Sequence, residues 1–146
     1  MNTSNIRTAE DIVIRFSGDS GDGMQLTGTL FSDTSALLGN GISTFPDYPA
    51  EVRAPQGTVA GVSGFQINFD SQPVTHQGDR CDILVAMNPA ALVAHRKYAK
   101  STAMLLLDSD NYTKESVAKV GYDIETIDSE LKLEECTIVE APITQM

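Results

Sequence analysis

Phe16-Ser17-Gly18-Asp19-Ser20-Gly21-Asp22-Gly23-Met24-Gln25-Leu26-Thr27-Gly28 is the stretch on which the reading of this chain turns. It follows an alternating apolar run, Ile12-Val13-Ile14-Arg15-Phe16, and opens a segment of helical periodicity over 24–38. A strand, a glycine-rich bend and a helix start, in that order, form the opening turn of an α/β domain. Gly28 stands where a helix would press flat against a strand. Free amides at a helix start attract anions. The spacing, however, is G-x-x-G-x-G and not the G-x-G-x-x-G of a dinucleotide site. Asp19 and Asp22 also put carboxylates where a pyrophosphate would lie, and such carboxylates can cap the amides themselves. Both a structural or domain-facing turn and a nucleotide cradle therefore stay open.

Outward from this turn the chain reads as alternating strands and helices. Residues 1–10 are polar and expected to be a flexible N-terminus. The first strand is expected over 11–17, and the helix after the turn carries Leu26, Leu30, Phe31, Ala36, Leu37 and Leu38 at three-and-four spacing. Gly39-Asn40-Gly41 ends it, and 42–45 is a short second strand. The block 44–57 holds Pro46, Pro49 and Pro55, which bars a helix interior or a central strand. It reads as a loop over a sheet edge, or as an ordered loop presenting Tyr48, Glu51 and Arg53 to a partner or ligand. Strand material follows over 57–69, where Gly61 and Gly64 suggest bulges or close backbone approach.

The run 82–87 is continuously apolar, the pattern of a buried parallel strand. Asn88-Pro89 then opens a helix expected over 90–100, with Asn as N-cap and Pro in the first turn. Further strands are expected at 103–107, 122–127 and 137–139, with a helical turn over 129–135. Asp108 and Asp110 lie at a strand end, where carboxylates are catalytic or metal-binding in some α/β folds and serve as turn caps in others. The fold class expected is α/β: a sheet of mostly parallel strands flanked by helices, with a strand–Gly-turn–helix start and a Pro-rich loop leading to an edge strand or hairpin.

Composition narrows function. The 146 residues suit one domain with a proper core. A formal charge of −10 repels nucleic acid and anionic membranes, so neither is an expected partner. No signal-peptide pattern and no apolar run of about twenty residues is present, and a cytoplasmic location is expected. Cys81 and Cys136 stand far apart beside apolar runs and read as buried free thiols; they could not build an iron–sulfur cluster or a zinc knuckle alone. His76 and His95 are isolated and take no assigned role. Periodicity and spacing thus yield no nucleophile–base pair, no metal constellation and no catalytic residue in this chain.

The segments 16–23, 45–55 (Phe-Pro-Asp-Tyr-Pro-Ala-Glu-Val-Arg-Ala-Pro) and 57–66 (Gly-Thr-Val-Ala-Gly-Val-Ser-Gly-Phe-Gln) resemble the gamma domain of 2-oxoacid:ferredoxin oxidoreductases. The likeness is greatest to the alpha subunit of the 2-oxoglutarate type, where this domain is N-terminal. The strand leading into Met87-Asn88-Pro89 and the closing Glu140-Ala141-Pro142-Ile143-Thr144 fit the same domain, so the resemblance runs from about residue 11 to the end. It implies a gamma domain over 11–146, cut short at its C-terminal end. It also implies a part in the CoA-dependent oxidative decarboxylation of a 2-oxo acid, with 2-oxoglutarate expected, to acyl-CoA, carbon dioxide and reduced ferredoxin.

By the same resemblance thiamine diphosphate, Mg and a [4Fe–4S] cluster belong to the full assembly, and none is bound by this chain alone. The implied partners are a thiamine-pyrimidine-type alpha domain, a beta subunit and, through the complex, ferredoxin; the isolated chain is expected to be inactive. Ser20, Gly21, Asp22 and Gly23, with Tyr48, Glu51 and Arg53, are the residues expected to face the rest of the assembly or coenzyme A. Arg53 suits a carboxylate or phosphate, or else braces its loop against Glu51. The competing readings are a stand-alone nucleotide- or CoA-binding α/β module and a purely structural assembly domain.

Overall fold

A computed structural model describes residues 11–19, 23–39, 41–47, 61–70 and 80–145. Among them the order is β1 (Asp11–Asp19), α1 (Met24–Leu37), β2 (Gly41–Asp47), β3 (Val62–Asp70), β4 (Cys81–Ala86), α2 (Pro89–His95), β5 (Ala99–Asp108), α3 (Lys114–Lys119), α4 (Ile127–Glu130) and β6 (Thr137–Ala141). The strands form one sheet ordered β2-β3-β1-β4-β5-β6. β1, β4, β5 and β6 run parallel, whereas β3 is antiparallel to both β1 and β2. The expected α/β class holds; of the two outcomes expected after the Pro-rich loop, an edge strand or a hairpin, β3 is not an edge strand but the antiparallel partner of β2, and β2 takes the edge. Pro46 sits in β2 because an edge strand has one side on which an N–H is not needed.

Two cores lie on the two faces of the sheet. α1 covers one face, where Met24 packs with Phe16, Phe65, Ile67 and Val85. α2 covers the other, where Ala91 and Leu92 pack with Leu84, Leu105, Leu107 and Leu133. Ile67, Leu84, Leu92 and Leu105 are fully buried, and each contributes about 1.5–3 kcal/mol by leaving water. The alternation of β1 assigns its residues: Phe16 points to α1, whereas Arg15 and Ser17 point to α2.

The boundaries differ from expectation where local hydrogen bonds decide. No strand forms at 122–127: Asp123 accepts the Glu125 N–H on its side chain (2.9 Å) and the Thr126 and Ile127 N–H groups on its carbonyl. This turn captures the segment and starts α4 two residues earlier than the helical turn expected from 129. The helix expected over 90–100 stops at His95, then a 3-10 turn spans Arg96–Tyr98, and Ala99 and Lys100 already belong to β5. Arg96 fixes that break by donating to the carbonyls of Leu131, Ala99 and Lys132 at 3.0–3.1 Å. α3 was legible only as a reciprocal cap, Thr113 and Ser116, which the expected elements left out.

The largest surprise is α1. The leucines whose spacing marks it as helical are not its buried face: Leu26 is 64% exposed and Leu37 is 88% exposed. Met24, Gly28 and Ser32 face the sheet instead. A Cβ on Gly28 would come within 2.2 Å of the Phe65 ring, so the close helix–strand approach expected at Gly28 is present. Among the described residues no helix is long and apolar enough to cross a membrane.

Candidate functional site

In open α/β sheets the crevice at the carboxyl ends of the strands, where the strand order reverses, is the usual binding edge. Here that point lies between β1 and β4, since the chain leaves β1 toward β3 and β2 and leaves β4 toward β5. α1 begins at this edge with Gly23 at its N-cap, in the left-handed region (φ 71°, ψ 24°), which favours glycine. The Gly23 carbonyl accepts the Thr27 N–H at 2.8 Å. Gly23 has no side chain to occupy the first amides, and the first turn holds no acidic residue. The helix therefore presents its partial positive charge toward the turn.

The second element of the edge is Asn88. Its Oδ1 accepts the Ala91 N–H at 2.8 Å, and Pro89 follows in the first turn of α2, as the sequence predicts. Its Nδ2 donates to Asp19 Oδ1 at 3.1 Å. One side chain thus caps α2 and ties it to the end of β1. The Met87 N–H donates to the Ser17 carbonyl (2.9 Å), and Gln25 Nε2 donates to the Gly64 carbonyl (2.9 Å). Four segments are held at one edge by polar contacts that no local motif announces. Asn88→Ala should cost about 1–2 kcal/mol in chemical denaturation. Asn88→Asp keeps the cap but sets a like charge against Asp19, so an intermediate loss is expected.

Behind this edge lies a buried polar layer. Arg15 Nε donates to His95 Nδ1 at 3.3 Å, Arg15 Nη1 donates to Gln66 Oε1 at 3.2 Å, and the guanidinium sits 4.2 Å from the Tyr98 ring centre. A Cβ on Gly64 would come within 2.7 Å of the His95 ring, so the layer needs glycine there. His95, assigned no role from sequence, is a structural acceptor on α2.

Asp108 closes β5 as a clamp and shows no metal-ligand grouping. It accepts from the Ile143 N–H (3.0 Å), the Thr144 hydroxyl, Asn111 Nδ2 (2.8 Å) and the Asp110 N–H (3.2 Å). Burial raises its carboxyl, but those donors together outweigh it and hold the pKa below the ordinary 3.8. Asp110 accepts from both the backbone and the side chain of Gln145. Of the two roles open for these carboxylates, turn capping is the one in place. Nearby, burial, with Asp128 and Glu140 adding to it, pushes the Tyr112 hydroxyl up to about 12.

Among the described residues no three His, Cys, Asp or Glu side chains gather as a metal site. A [4Fe–4S] cluster takes four thiolates, and this chain has Cys81 and Cys136 alone. Burial pushes the Cys81 thiol up to about 11, while Cys136 is half-buried, against the expectation of burial, and donates to the Ser101 carbonyl at 3.2 Å. These residues do not fit a cluster. Of the expected partner-facing residues, Gly23 is placed at the β1–β4 edge. Ser20, Gly21, Asp22, Tyr48, Glu51 and Arg53, like His76, lie outside the described residues. Asp19, Gln25 and Asn88 are the edge residues that sequence reasoning missed as a set; an Asn-Pro cap directly after a buried strand was the available signal.

The pyruvate ferredoxin/flavodoxin oxidoreductase family profile matches residues 13–146. The 2-oxoglutarate oxidoreductase subunit KorA of Mycobacterium tuberculosis is 52% identical over 120 residues, covering 82% of this chain and 18% of KorA. Three solved structures are similar in fold. The 2-oxoglutarate:ferredoxin oxidoreductase of Magnetococcus marinus, solved with 2-oxoglutarate, coenzyme A and succinyl-CoA, has a TM-score of 0.71 at 22% identity over 94% of this chain and 21% of its own. The gamma subunit of a keto/oxoacid ferredoxin oxidoreductase from Geobacter sulfurreducens has a TM-score of 0.61 at 22% identity, over 90% of this chain and 62% of its own. The pyruvate oxidoreductase subunit PORC of Thermotoga maritima has a TM-score of 0.62 at 15% identity, over 94% and 65%. This chain thus spans less than two thirds of each relative. With nearly its whole length matched by one family profile and most of it shared with KorA at 52% identity, the chain belongs to the pyruvate ferredoxin/flavodoxin oxidoreductase family.

Proposed function

We propose that this chain is the gamma-domain part of a 2-oxoglutarate:ferredoxin oxidoreductase, with residues 11–146 forming that domain. The observation that carries this reading is the 52% identity to a 2-oxoglutarate oxidoreductase subunit. The reaction joins the decarboxylated 2-oxo acid to coenzyme A as a thioester, releases carbon dioxide and passes the electron pair to ferredoxin. Thiamine diphosphate with Mg and a [4Fe–4S] cluster supply that chemistry from the partner polypeptides, an alpha domain and a beta subunit, in the cytoplasm. The role of this chain is assembly, with Ser20 to Gly23 and Tyr48, Glu51 and Arg53 turned toward the partner or coenzyme A. Among the described residues no side chain caps the start of α1 at Gly23, which supports an anion-facing edge.

Affinity purification of the tagged chain from its host, followed by a visible spectrum, tests the reading. A brown eluate bleached by 2-oxoglutarate plus coenzyme A is the expected result. Bleaching by pyruvate alone would reassign the substrate, and a colourless single chain that gives binding heat with a nucleotide would favour the stand-alone module. In the same complex, Arg53→Ala should raise the apparent KM for coenzyme A or the 2-oxo acid; unchanged assembly and unchanged KM would remove Arg53 from the site.

A further inference from the structure

At the amino ends of β4 and β5, the opposite end of the sheet from Gly23, lies a cavity of about 570 Å³. That volume falls within the range of small-molecule sites. Arg80, Arg96, Lys97 and Lys132 line it. Four of the ten Lys and Arg residues of a chain with formal charge −10 thus meet in one place. Glu134 and Glu135 line it too, which leaves a local surplus of two positive charges. Among the described residues none of the four cations forms an ion pair; the pair next to them, at 2.6 Å, is Lys100 with Asp82. A concave patch of one sign inside an oppositely charged protein concentrates anions.

The four cations divide into one that builds the cavity and three that face it with donors to spare. Arg96 donates to the carbonyls of Leu131 (3.0 Å), Ala99 (3.1 Å), Lys132 (3.0 Å) and Lys100 (3.4 Å). It joins the start of β5 to the turn after α4 and keeps its charge, because carbonyls and not a carboxylate accept from it. Lys132 is the one non-glycine residue with positive φ (55°) among the described residues. Such backbone persists where its surroundings over-determine it, and here Arg96 holds the Lys132 carbonyl. Arg80, Lys97 and Lys132 are exposed, and among the described residues their side chains make no hydrogen bond; the Lys97 ammonium lies 5.0 Å from the Tyr98 ring centre.

We infer that this cavity binds a small organic phosphate monoester. Such a group carries a charge of about −1.5 to −2 at neutral pH, which matches the local surplus. Its oxygens accept charge-assisted hydrogen bonds from the open donors of Arg80, Lys97 and Lys132. Half-buried Leu131 offers the organic part an apolar wall. The site goes beyond the oxidoreductase reading and stands or falls without it, because binding is measured directly and not through turnover.

The test is calorimetric titration of phenyl phosphate into the protein purified through a tag on this chain, at about 0.15 M salt so that diffuse attraction is screened. Saturable binding is expected. Lys97→Ala/Lys132→Ala should weaken it at least about tenfold, the loss of hydrogen bonds between charged groups. Lys114→Ala/Lys119→Ala removes the same charge from α3 and should leave Kd within about twofold of wild type. All four side chains are exposed, so both variants should keep the wild-type melting temperature. Absence of saturable binding overturns the inference, as does equal weakening by the two variants. Succinate is a dianion without the phosphate geometry; its binding as tightly as phenyl phosphate would overturn the assignment to a phosphate monoester.

Discussion

Asp108→Ala should release the segment after β6 and lower global stability by about 2–4 kcal/mol in chemical denaturation. The carboxylate gathers donors from 110–111 and from 143–144, at the centre of a join that Asn111–Thr144 and Asp110–Gln145 contacts extend. Alanine would leave the Ile143 and Asp110 N–H groups without that acceptor in a partly buried place. β6 is an edge strand paired to β5 alone, so its C-terminal anchor matters more than one turn usually does. Asp108→Asn keeps the shape and one acceptor oxygen and should cost less. The pH dependence has a definite sign. The folded carboxyl titrates below the ordinary value of 3.8, so near that pH the unfolded chain holds more protons than the folded one. The contribution of Asp108 is complete above pH 4 to 5 and is lost as the pH falls through 3.8 toward the lower folded value. Stability curves of wild type and Asp108→Ala should therefore converge in acid; parallel curves down to pH 3 would show that the carboxylate charge is not what holds the segment.

Legibility in the sequence followed the range of the forces involved. The buried strand at 82–87 and the Asn88-Pro89 cap were readable because an apolar run and its cap are neighbours along the chain. Gly28 was readable as a contact glycine from the glycine-turn-and-helix pattern around it, although the ring it meets, Phe65, comes from β3 far downstream. The failed strand at 122–127 shows the limit: alternation is a weak vote when Asp123 can close a turn on its own. α1 shows a different one. Three-and-four spacing marked a helix correctly, but which face is buried depended on a sheet surface built mainly by β3, some forty residues later. The candidate site was the least legible part. Asp19 and Asn88 meet across 69 residues, and neither residue type signals the other. Arg15 stands inside an alternating run with nothing along the chain to mark it as buried, whereas the second face of the sheet is also interior.

That buried arginine sets up the other large effect. His95→Leu should destabilise the chain by about 2–4 kcal/mol, because it removes the acceptor of Arg15 Nε from a site 3% exposed and leaves part of a buried charge unsatisfied. Leucine fills a similar volume, so lost packing contributes little, and the Tyr98 ring still lies against the guanidinium. His95→Gln offers an oxygen in its place and should recover part of the loss. The decisive comparison is the double variant Arg15→Met/His95→Leu, which removes the charge together with one of its acceptors and leaves Gln66 in place. A flexible apolar chain suits that gap, and buried ionic groups replaced as a set are often neutral in stability. The double variant should be more stable than His95→Leu alone, a coupling of about 1–3 kcal/mol in a double-mutant cycle. Additive losses would mean instead that His95 acts by packing, through its edge contact with Tyr98 and its fit against Gly64. The cycle also reports on the β1–β4 edge, since His95 closes the helix whose N-cap, Asn88, is tied to Asp19. If the polar layer positions α2, His95→Leu should weaken assembly with the oxidoreductase polypeptides in proportion to stability lost, and the double variant should restore both together.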